Sequence, residues 1–303
     1  MTITRIERAV YAVEDIPECT RFFEDFGLER LEAGEAGAEL ATAVGQRVRL
    51  RPIDDPELPA ALEDGPTLRE VVWGVDSQQS LDELRADLER DRAVRIDEDG
   101  SLHTVDETGF GLGFAVADVI EPEVAYPGTN NFGAAVRLNR PLSPPGRVRP
   151  LRICHVALNI PKRGREQAVG FYLDRLGFKA TDVVEPMGVF MRAPGDDDQH
   201  TMLLCHRPDR AGINHTAYEV ASFDEVVNGA NFMIDHGWRE ARKLGRHTIG
   251  SNVFRFVHAP CGGRVEYAAD MDRVDDTFET RVHAETPPHH LWTLQSNRDG
   301  DHS

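Results

Sequence analysis

The sequence predicts an α+β protein of two homologous domains, each built from a pair of βαβββ modules. Three observations carry that prediction: a motif repeated half a chain apart, apolar strand-like runs separated by single amphipathic helices, and a break rich in Pro and Gly between the halves.

The first module opens with the apolar run 6–13. Asp15 then serves as a helix N-cap, and Pro17 sits in the first turn, where its missing N–H costs nothing. That helix carries the aromatic pair Phe22-Phe23, and Gly27 closes it. The same grammar returns at 151–158, with Phe171-Tyr172 as the aromatic pair and Gly177 as the closing glycine. A second kind of unit follows each first one. Strand 68–75 leads into a helix around Ser80-Leu81-Asp82, and strand 213–220 into a helix around Ser222-Phe223-Asp224. Shorter alternating stretches at 111–116 and 253–258 suit the antiparallel strands that complete the modules. Residues 1–139 are therefore read as the first domain, 140–150 as the linker around Pro141, Pro144, Pro145 and Gly146, 151–272 as the second domain, and 273–303 as a tail.

Composition removes several classes of function. Lys and Arg number 34 against 52 Asp and Glu, a net charge of −18 that repels nucleic acid and anionic membranes. No apolar run is long enough to span a bilayer, and Met1-Thr2-Ile3-Thr4-Arg5 lacks the parts of a signal peptide. Cys19, Cys154, Cys205 and Cys261 show no CxxC spacing and no disulfide framework, so a cytoplasmic protein with a small-molecule ligand is expected.

His155, His215 and Glu266 each lie within a strand-like run of the second half. Two imidazoles and one carboxylate on one face of a divalent metal leave the other positions open, which suits Fe(II) that must bind substrate and dioxygen together. A core-facing strand histidine is more often structural, and Glu266 alone reads as an edge residue. The equivalent places of the three in a repeated motif favour the metal. In the first half those places fall to Ala9, about Glu70 and a Gly near 113, so no metal is expected there.

The second half resembles the catalytic domain of type I extradiol ring-cleaving dioxygenases, within the vicinal oxygen chelate superfamily. The motifs that carry the resemblance are Cys154-His155-Val156-Ala157-Leu158, Gln199-His200-Thr201-Met202, Ile213-Asn214-His215-Thr216-Ala217, Gly245-Arg246-His247-Thr248 and Val265-Glu266-Tyr267. The resemblance implies cupped sheets with the metal inside the second cup, held by His155, His215 and Glu266. It implies Fe(II), with Mn(II) as the alternative, O2 as co-substrate, a small aromatic diol as substrate and a homo-oligomer. His200 and His247 are the implied catalytic residues: His200 handles charge and protons beside the oxygen site, and His247 hydrogen-bonds the substrate. Phe190, Phe256 and Asn252 join His247 as implied substrate-binding residues.

Two positions depart from the family pattern. Phe256 stands where a tyrosine usually hydrogen-bonds the substrate, and Gly250 where an acidic residue is often found. Two other readings stay open: a metal-dependent isomerase, lyase or hydrolase of the same superfamily, or a non-catalytic protein that binds an aromatic ligand. The run Asp196-Asp197-Asp198 lacks the spacing of a calcium loop and reads as a solvated turn. His289-His290 is a weak metal signal in an acidic tail.

Overall fold

A computed structural model describes residues 2–124, 128–143 and 146–295. Met1, Pro144 and Pro145 of the expected linker, and residues 296–303 of the tail lie outside the described residues.

The first half runs β1 (Ile3–Val13), α1 (Ile16–Phe26), β2 (Glu29–Gly34), β3 (Gly37–Ala41), β4 (Arg47–Pro52), β5 (Thr67–Val75), α2 (Gln78–Leu88), β6 (Arg95–Ile96), β7 (Leu102–Val105) and β8 (Gly111–Val116). The second runs β9 (Arg152–Pro161), α3 (Arg165–Gly170), β10 (Lys179–Val184), β11 (Gly188–Arg192), β12 (Met202–Arg207), β13 (Gly212–Glu219), α4 (Phe223–Asp235), β14 (Glu240–His247), β15 (Val253–His258) and β16 (Arg264–Ala269). Each half is two βαβββ modules. Two short strands follow, β17 (Arg281–His283) and β18 (His290–Thr293).

The first sheet has the order β2-β3-β4-β1-β5-β8-β7-β6, and the second repeats it as β10-β11-β12-β9-β13-β16-β15-β14 with β17 and β18 on its edges. In each sheet the leading strands of the two modules meet antiparallel, β1 with β5 and β9 with β13. The fold is thus mixed α and β, a vicinal oxygen chelate arrangement with few helices.

Local chemistry sets the helices. Asp15 accepts the Glu18 N–H at 2.7 Å, and Gly27 takes the left-handed conformation at φ 106° that ends α1. A side chain on Gly27 would strike the Val148 carbonyl. Ser77 and Ser222 cap α2 and α4. The aromatic pair of the second half departs from expectation: α3 stops at Gly170, and Phe171–Arg175 forms a π turn.

Three other expectations need correction. The last strand of the first sheet ends at Val116 and the next begins at Arg152, so the stretch between sheets is longer than the 140–150 linker. The tail is not separate from the second sheet, because β17 pairs with β10 and β18 with β14. The Asp196–Asp198 run is a solvated turn only in part: Asp197 is exposed, but Asp198 is buried and ion-paired to Arg152 and Arg273.

One continuous core joins the halves. Phe26 of α1 stacks on Tyr267 of β16 at 3.9 Å and meets Tyr218 edge-on at 5.0 Å. Trp73 meets Phe178 at 4.9 Å, and the Tyr11 and Thr216 hydroxyls are bonded at 2.9 Å. Phe26→Ala is expected to cost about 3–5 kcal/mol, read as a lower denaturant midpoint, because the site is fully buried with aromatic rings on two sides. A loss below about 1 kcal/mol would show that the halves do not depend on this contact. Among the described residues no helix is long and apolar enough to cross a membrane.

Candidate metal centre

The topology brings the three candidate ligands onto one face. In the second sheet Ala217 lies opposite His155 on one side and opposite Glu266 on the other. The small alanine lets the two longer side chains lean together over it, and His215 is two residues earlier on the same face of β13. On β9 the neighbours Val156, Leu158 and Ile160 join the large core while His155 and Ala157 face the other way.

His155 Nε2 is 3.1 Å from His215 Nε2, and the two are 3.3 and 3.4 Å from Glu266 Oε2. Metal bonds of about 2.0–2.2 Å meeting at right angles set neighbouring donors about 3 Å apart, so this triangle has the dimensions of one face of an octahedron. His215 Nδ1 donates to Asn214 Oδ1 at 2.9 Å, which leaves Nε2 as a lone pair. Glu266 Oε2 is buried without a hydrogen-bond partner, while Asn252 Nδ2 holds Oε1 at 3.0 Å. Lone pairs facing each other in a closed space call for a cation at the centre of the triangle. Burial acts on all three: it pushes the Glu266 carboxyl up to about 7 against the pull of His247, Arg242 and Arg264, and it drives His155 down to about 3. His215 is likewise well below its ordinary value, through burial and then the neighbouring His155. Neutral imidazoles are the form a metal takes.

Among the described residues the first half has no such set. Arg8, opposite Val72, which is opposite Gly113, occupies the place of His155, so Ala9 was one residue out of register. Val10 pairs with Glu70 as Ala157 pairs with His215. Arg8 reaches Asp99 at 3.4 Å, and Glu70 bonds His103 Nδ1 at 2.8 Å.

A cavity of about 110 Å³ opens beside the triangle, lined by His155, His200, His215 and His247 with Phe190 and Phe256. Its size is of the order that takes one aromatic ring. Met187, Leu203 and Ile249 add apolar wall, and residues 286–289 of the tail close one side. Of those tail residues only the prolines and His289 carry a signal in the sequence, and the signal of His289 is the weak metal reading. His247 stacks on Phe254 at 4.0 Å, faces Glu266 Oε1 at 3.8 Å, and donates from Nδ1 to the His289 carbonyl at 3.3 Å. Burial holds its imidazole down to about 4, opposed by Glu266.

His200 is set by a buried relay. Gln199 Nε2 donates to Asp182 Oδ2 at 2.6 Å, which turns Gln199 Oε1 towards His200 to accept its Nδ1–H at 2.6 Å. Nε2 is the nitrogen left for the cavity. Asp182 is anchored in turn by Arg281 and His283 of β17, each at 2.6 Å. Gly250, at φ 83°, keeps this corner open, since a Cβ there would crowd Gln199 Oε1 and His200 Cε1 at 3.2 Å.

Asn252 does not line the cavity, contrary to its expected substrate role: it is fully buried and braces Glu266. Tyr267 also points elsewhere, with its hydroxyl donated to the Phe26 carbonyl at 2.8 Å. Phe256 does lie on the wall, its ring 5.1 Å from that of His215 and perpendicular to it.

Residues 152–267 match the profile of the Glyoxalase/Bleomycin resistance protein/Dioxygenase superfamily. Metapyrocatechase 2 of Cupriavidus necator is 38% identical over 128 residues, covering 42% of this chain and 39% of that protein. Biphenyl-2,3-diol 1,2-dioxygenase of Paraburkholderia xenovorans strain LB400 is 32% identical over 141 residues, covering 44% and 46%. The chain spans less than half the length of these curated relatives. Among solved structures, the Mn(II)-bound glyoxalase from Novosphingobium aromaticivorans superposes with a TM-score of 0.73 at 25% identity, covering 94% of this chain and 89% of that one.

Proposed function

We propose that this chain, which carries a domain of the Glyoxalase/Bleomycin resistance protein/Dioxygenase superfamily, opens the ring of a catechol-type aromatic diol beside its hydroxyls with dioxygen, using Fe(II) held by His155, His215 and Glu266. The observation that carries the reading is the buried triangle of Nε2, Nε2 and Oε2 atoms 3.1–3.4 Å apart beside an aromatic-sized cavity. When bound, the metal supplies a Lewis acid that eases loss of the diol proton and a place where diol and dioxygen meet.

The protein's own groups do the rest. Phe190, Leu203 and Ile249 hold the ring and exclude water. His247, with Nδ1 committed to the His289 carbonyl, presents Nε2 to accept from a diol hydroxyl. His200, with Nδ1 committed to Gln199, presents Nε2 to take a proton beside the reacting carbon. The relatives named for catechol and biphenyl-diol cleavage support the reading. Metal analysis followed by oxygen uptake on a panel of catechols tests it, with a yellow ring-opened product expected. No uptake by protein with iron bound and reduced would overturn it.

A metal-dependent isomerase or lyase is the second reading, favoured by Phe256, which offers no donor, and by the structural likeness to a Mn(II)-bound glyoxalase. Phe256→Tyr bears on both. It is expected to raise kcat/KM for unsubstituted catechol by roughly tenfold, the worth of one added hydrogen bond. An unchanged or lower value would show that no donor is missing at this place.

A further inference from the structure

The chain carries a net charge of −18, yet three guanidiniums and no carboxylate line the cavity: Arg207, Arg242 and Arg264. Elsewhere in the second half Arg152, Arg192, Arg246, Arg255, Arg273 and Arg281 each pair with an acidic side chain. The three cavity arginines do not, among the described residues. Arg207 Nε donates to Asn159 Oδ1 at 2.8 Å, and Arg264 donates to Asn214 Oδ1. Arg242 and Arg264 lie 5.4 and 5.2 Å from the centre of the Phe256 ring. Unneutralised cations gathered at one wall of a half-closed cavity are costly without an anion to face.

We propose that Arg242 and Arg264, with Arg207 behind them, form a subsite for a carboxylate on the substrate, so that the favoured ligand is an aromatic carboxylic acid bearing the diol. The proposal rests on the ring-cleavage reading for the diol but not for the acid group. A guanidinium fork matches a planar carboxylate with two parallel bonds, and an arginine on an aromatic face keeps its N–H groups free to make them. Phe256 then acts as the platform that holds the fork beside His215. The hydroxyl lost at this position leaves room for the arginines, and the sequence departure becomes a specificity feature. A ligand with both groups would put its diol at the His155, His215 and Glu266 triangle and its carboxylate at the arginine wall. The positive charge of a bound divalent ion, only partly offset by Glu266, works in the same direction.

The test compares binding under anaerobic conditions, without turnover. Dihydroxybenzoate, dihydroxyphenylacetate and dihydroxycinnamate are each titrated into metal-loaded protein beside their methyl esters and beside plain catechol. At least one acid is expected to bind about 10–100-fold tighter than its ester at low salt, as a charge-assisted hydrogen-bonded pair allows, with the ratio shrinking as salt is added. Arg242→Gln should remove most of that ratio. Arg264→Gln is the less clean variant, because Arg264 also braces Asn214, which orients His215. Esters that bind as well as every acid, or a ratio unchanged in Arg242→Gln, would overturn the proposal. Should Arg242→Gln fail to fold, the acid-to-ester ratio of the wild type and its salt dependence decide the matter. Benzoate and phenylacetate, which lack hydroxyls, separate the two readings. Salt-sensitive binding of these acids without cleavage of any diol would sink ring cleavage and keep the anion subsite. Cleavage of catechol and esters with no preference for acids would do the reverse.

Discussion

His155→Ala is expected to lower affinity for the divalent ion by far more than the roughly 10–100-fold that loss of an outer partner costs, and to take turnover to background. The variant removes one of three donors from a triangle whose sides are 3.1–3.4 Å and leaves only His215 and Glu266. Two donors hold neither the ion nor its open face in place. Metal content after dialysis and a thermal melt with and without added Fe(II) or Mn(II) check this apart from activity. Wild-type protein should be stabilised by the ion in proportion to the logarithm of its concentration, and the variant should not. A variant that keeps one ion per chain and normal turnover would remove His155 from the centre. Asn252→Ala, which frees Glu266 Oε1, is the graded control: it should weaken the ion by the outer-partner amount and leave the ligand set intact.

Much of this architecture is legible in the chain, for identifiable reasons. The modules can be read because each leading strand is an apolar run followed by a helix, and Asp15 and Ser222 mark two of the starts, whereas α3 begins after Gly164 with no side-chain cap. His155 and His215 lie on the leading strands β9 and β13, and Glu266 on β16, the closing strand of its module, each within a recognisable motif. What failed was register. Side chains alternate with period two, so a slip of one residue in matching the halves moves the equivalent place to the other face: Arg8, not Ala9, pairs with Val72 as His155 pairs with Ala217. The pairing partner that fixes this register is on another strand and leaves no local signal. Asn252 follows Ser251, which holds a left-handed conformation at φ 56°, and the turn carries the amide inward to Glu266 and away from the cavity. Asp198 is buried because Arg152 and Arg273 reach it from distant segments, a pairing with no local signal. The tail strands, of three and four residues, are too short to show any period, yet β17 supplies Arg281 and His283 to Asp182, and His289, just before β18, gives its carbonyl to His247.

His200→Asn is expected to slow turnover by about 10²–10⁴-fold while leaving metal content and anaerobic diol binding close to wild type. The prediction follows from where the imidazole is and how it is held. It is not part of the ligand triangle, its ring lies 4.5 Å from that of His155, and Phe190 closes its other side at 5.1 Å. Burial, and then the nearby His155, keeps it well below its ordinary pKa, so it rests neutral with Nε2 ready for a proton. An asparagine in its place cannot gain and return a proton, so the loss should appear in kcat with little change in diol affinity. Gln199→Leu provides the companion measurement. It deletes the acceptor that fixes Nδ1–H and leaves Asp182 with one partner fewer, so the imidazole can sit in either tautomer. Turnover should fall by roughly tenfold, the worth of one lost buried hydrogen bond, and the pH profile should move. Wild-type turnover with an unchanged pH profile in His200→Asn would make the residue structural. A Gln199→Leu loss larger than that of His200→Asn would mean the relay serves the fold around Asp182, where it meets β17, before it serves the imidazole.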